Sequence, residues 1–179
     1  MTILELTKKL TALPSLSTDQ MQCKAVFDII VEVFATTKNI FIEREKKNGV
    51  HSLIIKNFDG QYADICFNGH IDVVPPQSED QRTPVEREWM LYGRGAGDMK
   101  DGVAIITLLM KELCKPGVTN KNFMLMLTAD EEIGGINGVW HLVHEWYWAE
   151  IVLIPDGGSR HEVVIAEKWI INLTLTATW

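Results

Sequence analysis

Basic clusters, membrane-length apolar runs and paired cysteines are all absent from this 179-residue sequence. The formal net charge is −7, and no basic cluster is present, which argues against a nucleic-acid partner because such proteins need a basic face. No apolar run approaches the length of a membrane span, so we expect no membrane association. The N-terminus shows no signal-peptide pattern. Cys23, Cys66 and Cys114 are odd in number and widely spaced, which predicts reduced thiols in a cytoplasmic protein.

The length corresponds to about one domain, and apolar residues at helical spacing alternate with short apolar strands. Helices are predicted at 3–13, 17–37, 101–115 and 136–148. Strands are predicted at 51–58, 63–72, 122–129 and 150–158, and a polar loop at 77–89. This alternation predicts an α/β fold, a three-layer domain with a largely parallel central sheet and helices on both faces.

Three of the predicted strands run directly into acids or a histidine. In open α/β sheets, ligands bind at the carboxyl ends of the strands, so these side chains should become neighbours. The candidates, with one more acid from a glycine-rich segment, are His70, Asp72, Asp98, Glu131, Glu132 and Asp156. Five carboxylates in one pocket would repel each other unless cations neutralise them, and a pair of divalent ions would do so.

Other interpretations of these residues stay open at this point. The acids at 130–132 with the glycines after them also fit an ordinary solvated turn. His161 is near the candidates in sequence, although a loop histidine is usually just solvated. His141 and His144 share one helix face and are more typical of a helix surface than of a metal site.

Four motifs, in this order, give the sequence a family resemblance. They are GHIDVVP at 69–75, LYGRGAGDMKDG at 91–102, TADEEIGG at 128–135 and PDGG at 155–158. With them the chain resembles the zinc-dependent deacylase and exopeptidase family of acetylornithine deacetylase, succinyl-diaminopimelate desuccinylase, aminoacylase and glutamate carboxypeptidase. The resemblance implies a zinc-exopeptidase-like fold and hydrolysis of an amide bond in a small N-acyl amino acid or a peptide.

The resemblance also implies a role for each matched residue. His70 and Asp156 would bind one zinc, Asp98 would bridge both ions, and Glu132 would bind the second. Glu131 would be the general base for a metal-bound water, and Asp72 would orient His70. A cis peptide is expected between Asp98 and Met99. Cobalt or manganese would also suit such ligands.

Family members are considerably longer chains, which gives a further set of expectations. Residues 1–168 should form the N-terminal portion of the metal-binding catalytic domain, and 169–179 the first strand of a lid or dimerisation domain. In relatives, the chain returning from the lid supplies a histidine to the second zinc. We therefore expect either an incomplete, poorly active hydrolase fragment or a non-catalytic module that binds one metal ion or none. The module would act through self-association, with the C-terminal strand pairing two copies.

Overall fold

The computed structural model describes residues 1–157 and Val164. Within these residues the helices are α1 (Ile3–Thr11), α2 (Gln20–Val33), α3 (Asp101–Leu113) and α4 (Val139–His144). The strands are β1 (Phe41–Lys47), β2 (Val50–Lys56), β3 (Tyr62–His70), β4 (Val85–Arg87), β5 (Met90–Tyr92), β6 (Phe123–Thr128) and β7 (Trp148–Leu153). The predicted lid strand at 169–179 and the domain boundary at 168 lie outside the described residues. Of the helices described, none is long and apolar enough to cross a bilayer.

Five strands form one mixed sheet in the order β1-β2-β6-β3-β7. β3 pairs in parallel with β6 and with β7, whereas β1 with β2 and β2 with β6 are antiparallel. The predicted α/β class is therefore confirmed, and the sheet is parallel only in the half that contains β3. The antiparallel half begins with a tight hairpin, because Asn48 and Gly49 both have positive φ angles of 48° and 91°, as a two-residue hairpin turn requires.

Helices cover both faces of this sheet, as predicted. The larger core lies between the sheet and α1, α2 and α3, and its buried members include Leu6, Phe27, Leu53, Val103 and Leu125. The smaller core lies on the opposite face under α4. Its buried members are Ile54, Ala63, Cys66, Met124, Met126, Leu142 and Tyr147. Neighbouring residues of β2 and β6 enter opposite cores, because successive strand side chains point to opposite faces.

Strand β1 and the β4–β5 hairpin are absent from the sequence prediction. β1 reads FIEREKK and lies at the sheet edge with most of its side chains exposed. It therefore lacks the apolar run that identifies a buried strand. The β4–β5 hairpin falls across the end of the predicted loop 77–89 and pairs only three residues on each side.

All four helices are shorter than predicted, and the changes at α2 and α4 affect the candidate site. α2 begins at Gln20, with the Asp19 side chain accepting from the Gln22 amide, so Ser17 stays outside the helix. α4 begins at Val139 and is followed by Trp146 with a φ of 66°. Residues 136–138 are consequently free to pack against the end of β6.

Candidate metal centre

The strand register gathers the predicted residues at one edge of the sheet. β3 lies between β6 and β7 and is parallel to both, with His70 opposite Thr128 and Phe67 opposite Leu153. The acids that follow Thr128 and the Asp156 that follows β7 therefore approach His70 from its two sides. The structure brings all six predicted residues to this edge.

His70 is buried, with only 2% of its side chain exposed. Its Nδ1 lies 3.1 Å from the backbone oxygen of Asp72 and 3.4 Å from the Asp72 Oδ1. Both neighbours are acceptors, so Nδ1 carries the proton in the neutral ring. The other ring nitrogen, Nε2, is buried and has no hydrogen-bond partner among the residues that the structure describes.

Three carboxylates surround this Nε2 atom. Asp98 Oδ1 lies 3.3 Å away, Asp156 Oδ2 3.4 Å and Glu131 Oε2 3.7 Å. Burial lowers the pKa of His70, but the hydrogen bond and charge of Asp72 and the charges of Glu131 and Asp156 outweigh it and raise the pKa to about 9. A proton or another cation is thus strongly favoured at Nε2 of His70.

Asp98 comes from an irregular turn before α3. Gly95 begins the turn with a φ of 80°, and the Asp98–Met99 peptide bond is cis, as the resemblance predicts. The turn is anchored by Lys100, whose buried Nζ donates to the carbonyl oxygens of Leu10 and Leu13 at 3.0 and 2.8 Å. The backbone around Asp98 is thereby fixed to the end of α1, while the Asp98 carboxylate stays largely exposed.

Glu131 and Glu132 lie in a single turn, Glu131–Ile133, that follows Asp130. Asp130 itself is buried, and its Oδ2 accepts from the amides of Asn137 and Gly138 at 2.8 and 3.0 Å. In the sequence, Asp130 is distinguished in no way from the two acids that follow it. Its structural role depends on the start of α4, which no local pattern links to β6.

Asp72 connects the histidine to this acidic turn. It is fully buried, and its two oxygens accept from the amides of Glu131 and Glu132 at 3.2 Å each. Burial raises the pKa of Asp72, but hydrogen bonds from His70 and Ser17 and the charge of His70 hold it below its usual range. Asp72 is therefore an ionised carboxylate that contacts His70 and the Glu131–Glu132 backbone together.

Asp156 is placed by close packing between the end of β7 and α3. A Cβ on Gly102 would lie 2.3 Å from the backbone oxygen of Pro155. Glycine at this position thus lets the chain before Asp156 rest directly on the first turn of α3. Burial raises the pKa of Asp156, although the charge of His70 opposes this.

The donor set fits a divalent cation. Ligand atoms from His70, Asp98 and Glu132 all lie within 4.8 Å of one another, and imidazole nitrogen with carboxylate oxygen is a common zinc set. Burial, followed by the charge of Asp98, raises the pKa of Glu132. A bound cation would relieve this repulsion, and it would also give the unpartnered Nε2 of His70 a partner.

The other histidines that the structure describes lie elsewhere. His51 is in β2, and His141 and His144 are on α4 with Nδ1 atoms directed to Glu145 and the Trp140 carbonyl. His161 lies outside the described residues. Cys66 is a buried core thiol.

Fold and site together define an α/β protein with a histidine–carboxylate cluster at the carboxyl edge of its parallel strands. Residues 66–167 match the peptidase family M20/M25/M40, and the chain belongs to this family. The resemblance drawn from the four motifs is thereby confirmed.

Known relatives agree with this membership. The chain is 34% identical over 135 residues to succinyl-diaminopimelate desuccinylase of a Nitratiruptor species, covering 74% of this chain and 35% of that protein. It is 33% identical over 163 residues to the enzyme of the same name from Nautilia profundicola, covering 87% of this chain and 40% of that protein. The chain thus spans well under half the length of these relatives.

Solved structures show the same fold at low sequence identity. An M20 family metallo-carboxypeptidase from Sulfolobus solfataricus superimposes with a TM-score of 0.71 at 19% identity, covering 88% of this chain and 38% of that one. Human carnosine dipeptidase 1 superimposes with a TM-score of 0.68 at 18% identity, covering 87% of this chain and 38% of that one.

Proposed function

We propose that this chain forms the metal-binding part of a hydrolase that cleaves an amide bond in a small N-acyl amino acid or peptide. One observation carries the proposal. The buried Nε2 of His70 has no hydrogen-bond partner among the described residues and faces oxygens of Asp98, Asp156 and Glu131 at 3.3–3.7 Å. An imidazole nitrogen directed at three carboxylates is the arrangement expected around a cation.

In this proposal the metal ligands are His70, Asp98, Glu132 and Asp156, with Asp98 shared if two ions bind. Zinc is the first candidate, and cobalt or manganese would suit the same donors. A divalent ion held there would acidify a water molecule and polarise the carbonyl of the scissile amide. Asp72 orients His70, because it contacts the Nδ1 side of the ring while Nε2 points into the cluster.

Glu131 acts as the general base. Its carboxylate is half exposed and lies beside His70, where it can reach a solvent molecule and a substrate. Burial raises the pKa of Glu131; the charge of His70 lowers it, and the charges of Asp156, Asp72 and Asp98 raise it again. A raised pKa suits a group that must take a proton from the attacking water and return it to the leaving amine near neutral pH.

N-succinyl amino acids are the first substrates to test, because the relatives named above are succinyl-diaminopimelate desuccinylases. N-acetyl amino acids and dipeptides are the alternatives. None of the six site residues is a lysine or an arginine, so recognition of an anionic acyl group would depend on residues outside this cluster.

Equilibrium dialysis against zinc, with metal analysis of the protein, tests the central claim. The wild-type chain should retain zinc, and His70→Ala should lose at least about tenfold in affinity. His144→Ala is the matched control, since His144 is an exposed histidine on α4, and it should bind as the wild type does. A wild-type chain that retains no zinc, or a His70→Ala variant that binds equally well, would contradict the proposal.

A second candidate function, self-association as a non-catalytic module, is favoured by strand β7. Within residues 1–157 this strand lies at the sheet edge, and Ile151, Val152, Leu153 and Ile154 are each 47–57% exposed. A free edge with consecutive exposed apolar residues is a site of chain pairing. If it pairs two copies, light scattering will show a dimer that Val152→Lys converts to monomer. Ile136→Lys, at an exposed apolar residue just before α4, should leave the dimer intact.

A further inference from the structure

The segment between α1 and α2 lies against the carboxyl end of β3. Leu16 bridges Val73 in parallel, and the Ser15 backbone oxygen accepts from the Val73 amide at 2.9 Å. The Ser15 hydroxyl donates to the Ile71 carbonyl at 2.6 Å. This short extended stretch is therefore a further strand-like partner at the point where β3 enters the metal cluster.

The next serine in this stretch contacts the cluster itself. Ser17 is buried, and its hydroxyl donates to Asp72 Oδ2 at 2.7 Å. This is the shortest hydrogen bond that Asp72 receives from the described residues, because the amides of Glu131 and Glu132 donate at 3.2 Å each. Ser17 and the Glu132 amide share Oδ2, while the Glu131 amide binds Oδ1.

These donors fix the rotation of the Asp72 carboxylate about its side-chain axis. Without the Ser17 hydroxyl, Oδ2 would retain only the long hydrogen bond from the Glu132 amide, while Oδ1 would keep the Glu131 amide and the His70 ring. Leaving a buried carboxylate oxygen short of a donor is costly, so we expect the carboxylate to shift toward the donors that remain. Both glutamate amides bind the same carboxylate, so its rotation would loosen the backbone of Glu131 and Glu132 together.

Gln20, the first residue of α2, also ties Ser17 to the end of β6. Gln20 Nε2 donates to the Ser17 carbonyl at 2.8 Å and to the Ala129 carbonyl at 2.9 Å. Its Oε1 accepts from the His51 amide at 2.9 Å. The backbone of Ser17 is thereby held in register with the end of β6, directly before the acidic turn.

We infer that Ser17 is a positioning residue, which holds the Glu131–Glu132 turn in place through Asp72. The inference rests on the proposed function for its consequence, since the turn supplies the general base and one metal ligand. The hydrogen-bonded arrangement itself exists without a metal, and it can be measured without one.

The test compares Ser17→Ala with Ser15→Ala and Ser17→Thr. Ser15→Ala is matched, because it also removes a buried hydroxyl hydrogen bond from the same segment, but one to a backbone carbonyl. Amide hydrogen exchange by NMR on the metal-free chain is the first readout, with the Leu125 amide in the core of β6 as internal reference. Ser17→Ala should speed exchange at Glu131 and Glu132 by about tenfold relative to that reference. In Ser15→Ala, the exchange rates of both amides should stay within about threefold of the wild-type rates. Ser17→Thr should restore the wild-type exchange rates.

Zinc affinity, measured by competition with a chromophoric chelator, is the second readout. Ser17→Ala should weaken zinc binding by about tenfold or more, because the loss of a residue that positions metal ligands typically has an effect of this size. Ser15→Ala should leave zinc affinity unchanged. Unchanged exchange at Glu131 and Glu132 in Ser17→Ala, or equal effects of the two alanine variants, would overturn the inference. If the wild-type chain binds no zinc, the proposed function fails, while the exchange data still decide the role of Ser17.

Discussion

Oδ1 of Asp130 occupies the space where a side chain on residue 138 would begin. A Cβ on Gly138 would lie 2.1 Å from this oxygen and 2.9 Å from the Thr128 Cβ. The other oxygen of this carboxylate, Oδ2, accepts hydrogen bonds from the amides of Asn137 and Gly138. The end of β6 and the start of α4 are therefore closed around one buried acid, and the Glu131–Glu132 turn lies between them.

Gly138→Ala should destabilise the fold because the new methyl group has no room beside Asp130. Overpacking of this kind costs about 1–3 kcal/mol in the free energy of unfolding. Urea denaturation measures the change. Gly97→Ala is the control, since a Cβ at Gly97 meets nothing within 4 Å; an equal loss in both variants would show that the Asp130 contact is unimportant.

The chain should hold at most one divalent ion tightly. His70, Asp98 and Asp156 can serve one ion, which leaves Asp98 and Glu132 for a second, and a tight zinc site usually has at least three protein ligands. Metal analysis after exhaustive dialysis checks the stoichiometry. If two equivalents of metal per chain remain after dialysis, the second metal site is complete within these residues.

Hydrolysis of N-acyl amino acids by residues 1–179 alone should be slow. The chain covers 35% and 40% of the length of its two named relatives, and the positioning of substrate and transition state supplies much of catalysis. A panel of N-succinyl and N-acetyl amino acids with added zinc measures the rate. Any residual turnover should fall by about 100-fold or more in Glu131→Gln, with zinc affinity nearly unchanged. Fast turnover that depends on Glu131 would disprove the first expectation.

Alkaline pH should destabilise the chain through its buried thiols. Burial raises the pKa of Cys66 from 9.0 to about 12, so the folded chain keeps this proton at a pH where the unfolded chain has released it. The stabilisation is complete below about pH 9 and is lost as the pH rises toward 12, at about 1.4 kcal/mol per pH unit.

Unfolding free energies of wild type and Cys66→Ala, measured from pH 7 to 10.5, separate this contribution from other titrations. Up to about pH 9, the unfolding free energies of wild type and Cys66→Ala should differ by a constant amount. Above this pH, the unfolding free energy of the wild type should fall more steeply than that of the variant. Cys114→Ala is the control, because Cys114 is only partly buried and its thiol should contribute a smaller slope. Parallel curves for wild type and Cys66→Ala would contradict the assignment.

Much of the fold and the candidate site could be read from local sequence. Apolar spacing predicts α1 and α3, and runs such as FMLML predict β6, because burial on a helix face or inside a sheet requires apolar residues at fixed intervals. The acids and the histidine follow directly after such strands. Parallel strands place their carboxyl ends together, so the prediction that His70, Glu131, Glu132 and Asp156 are neighbours needed only chain order.

Other features depended on contacts that no local pattern contains. β1 is a charged edge strand, and only pairing with β2 makes it a strand. Asp130 looks like its two acidic neighbours, but it is buried because α4 begins against it. Ser17 begins the predicted helix 17–37, but in the structure it precedes α2 and binds Asp72 from across the fold. Sequence by itself determined which residues are the candidates for the proposed metal chemistry, since their types and strand positions are local. Tertiary structure decided which of them are buried and what holds each in place, because hydrogen bonds and desolvation depend on neighbours that are distant along the chain.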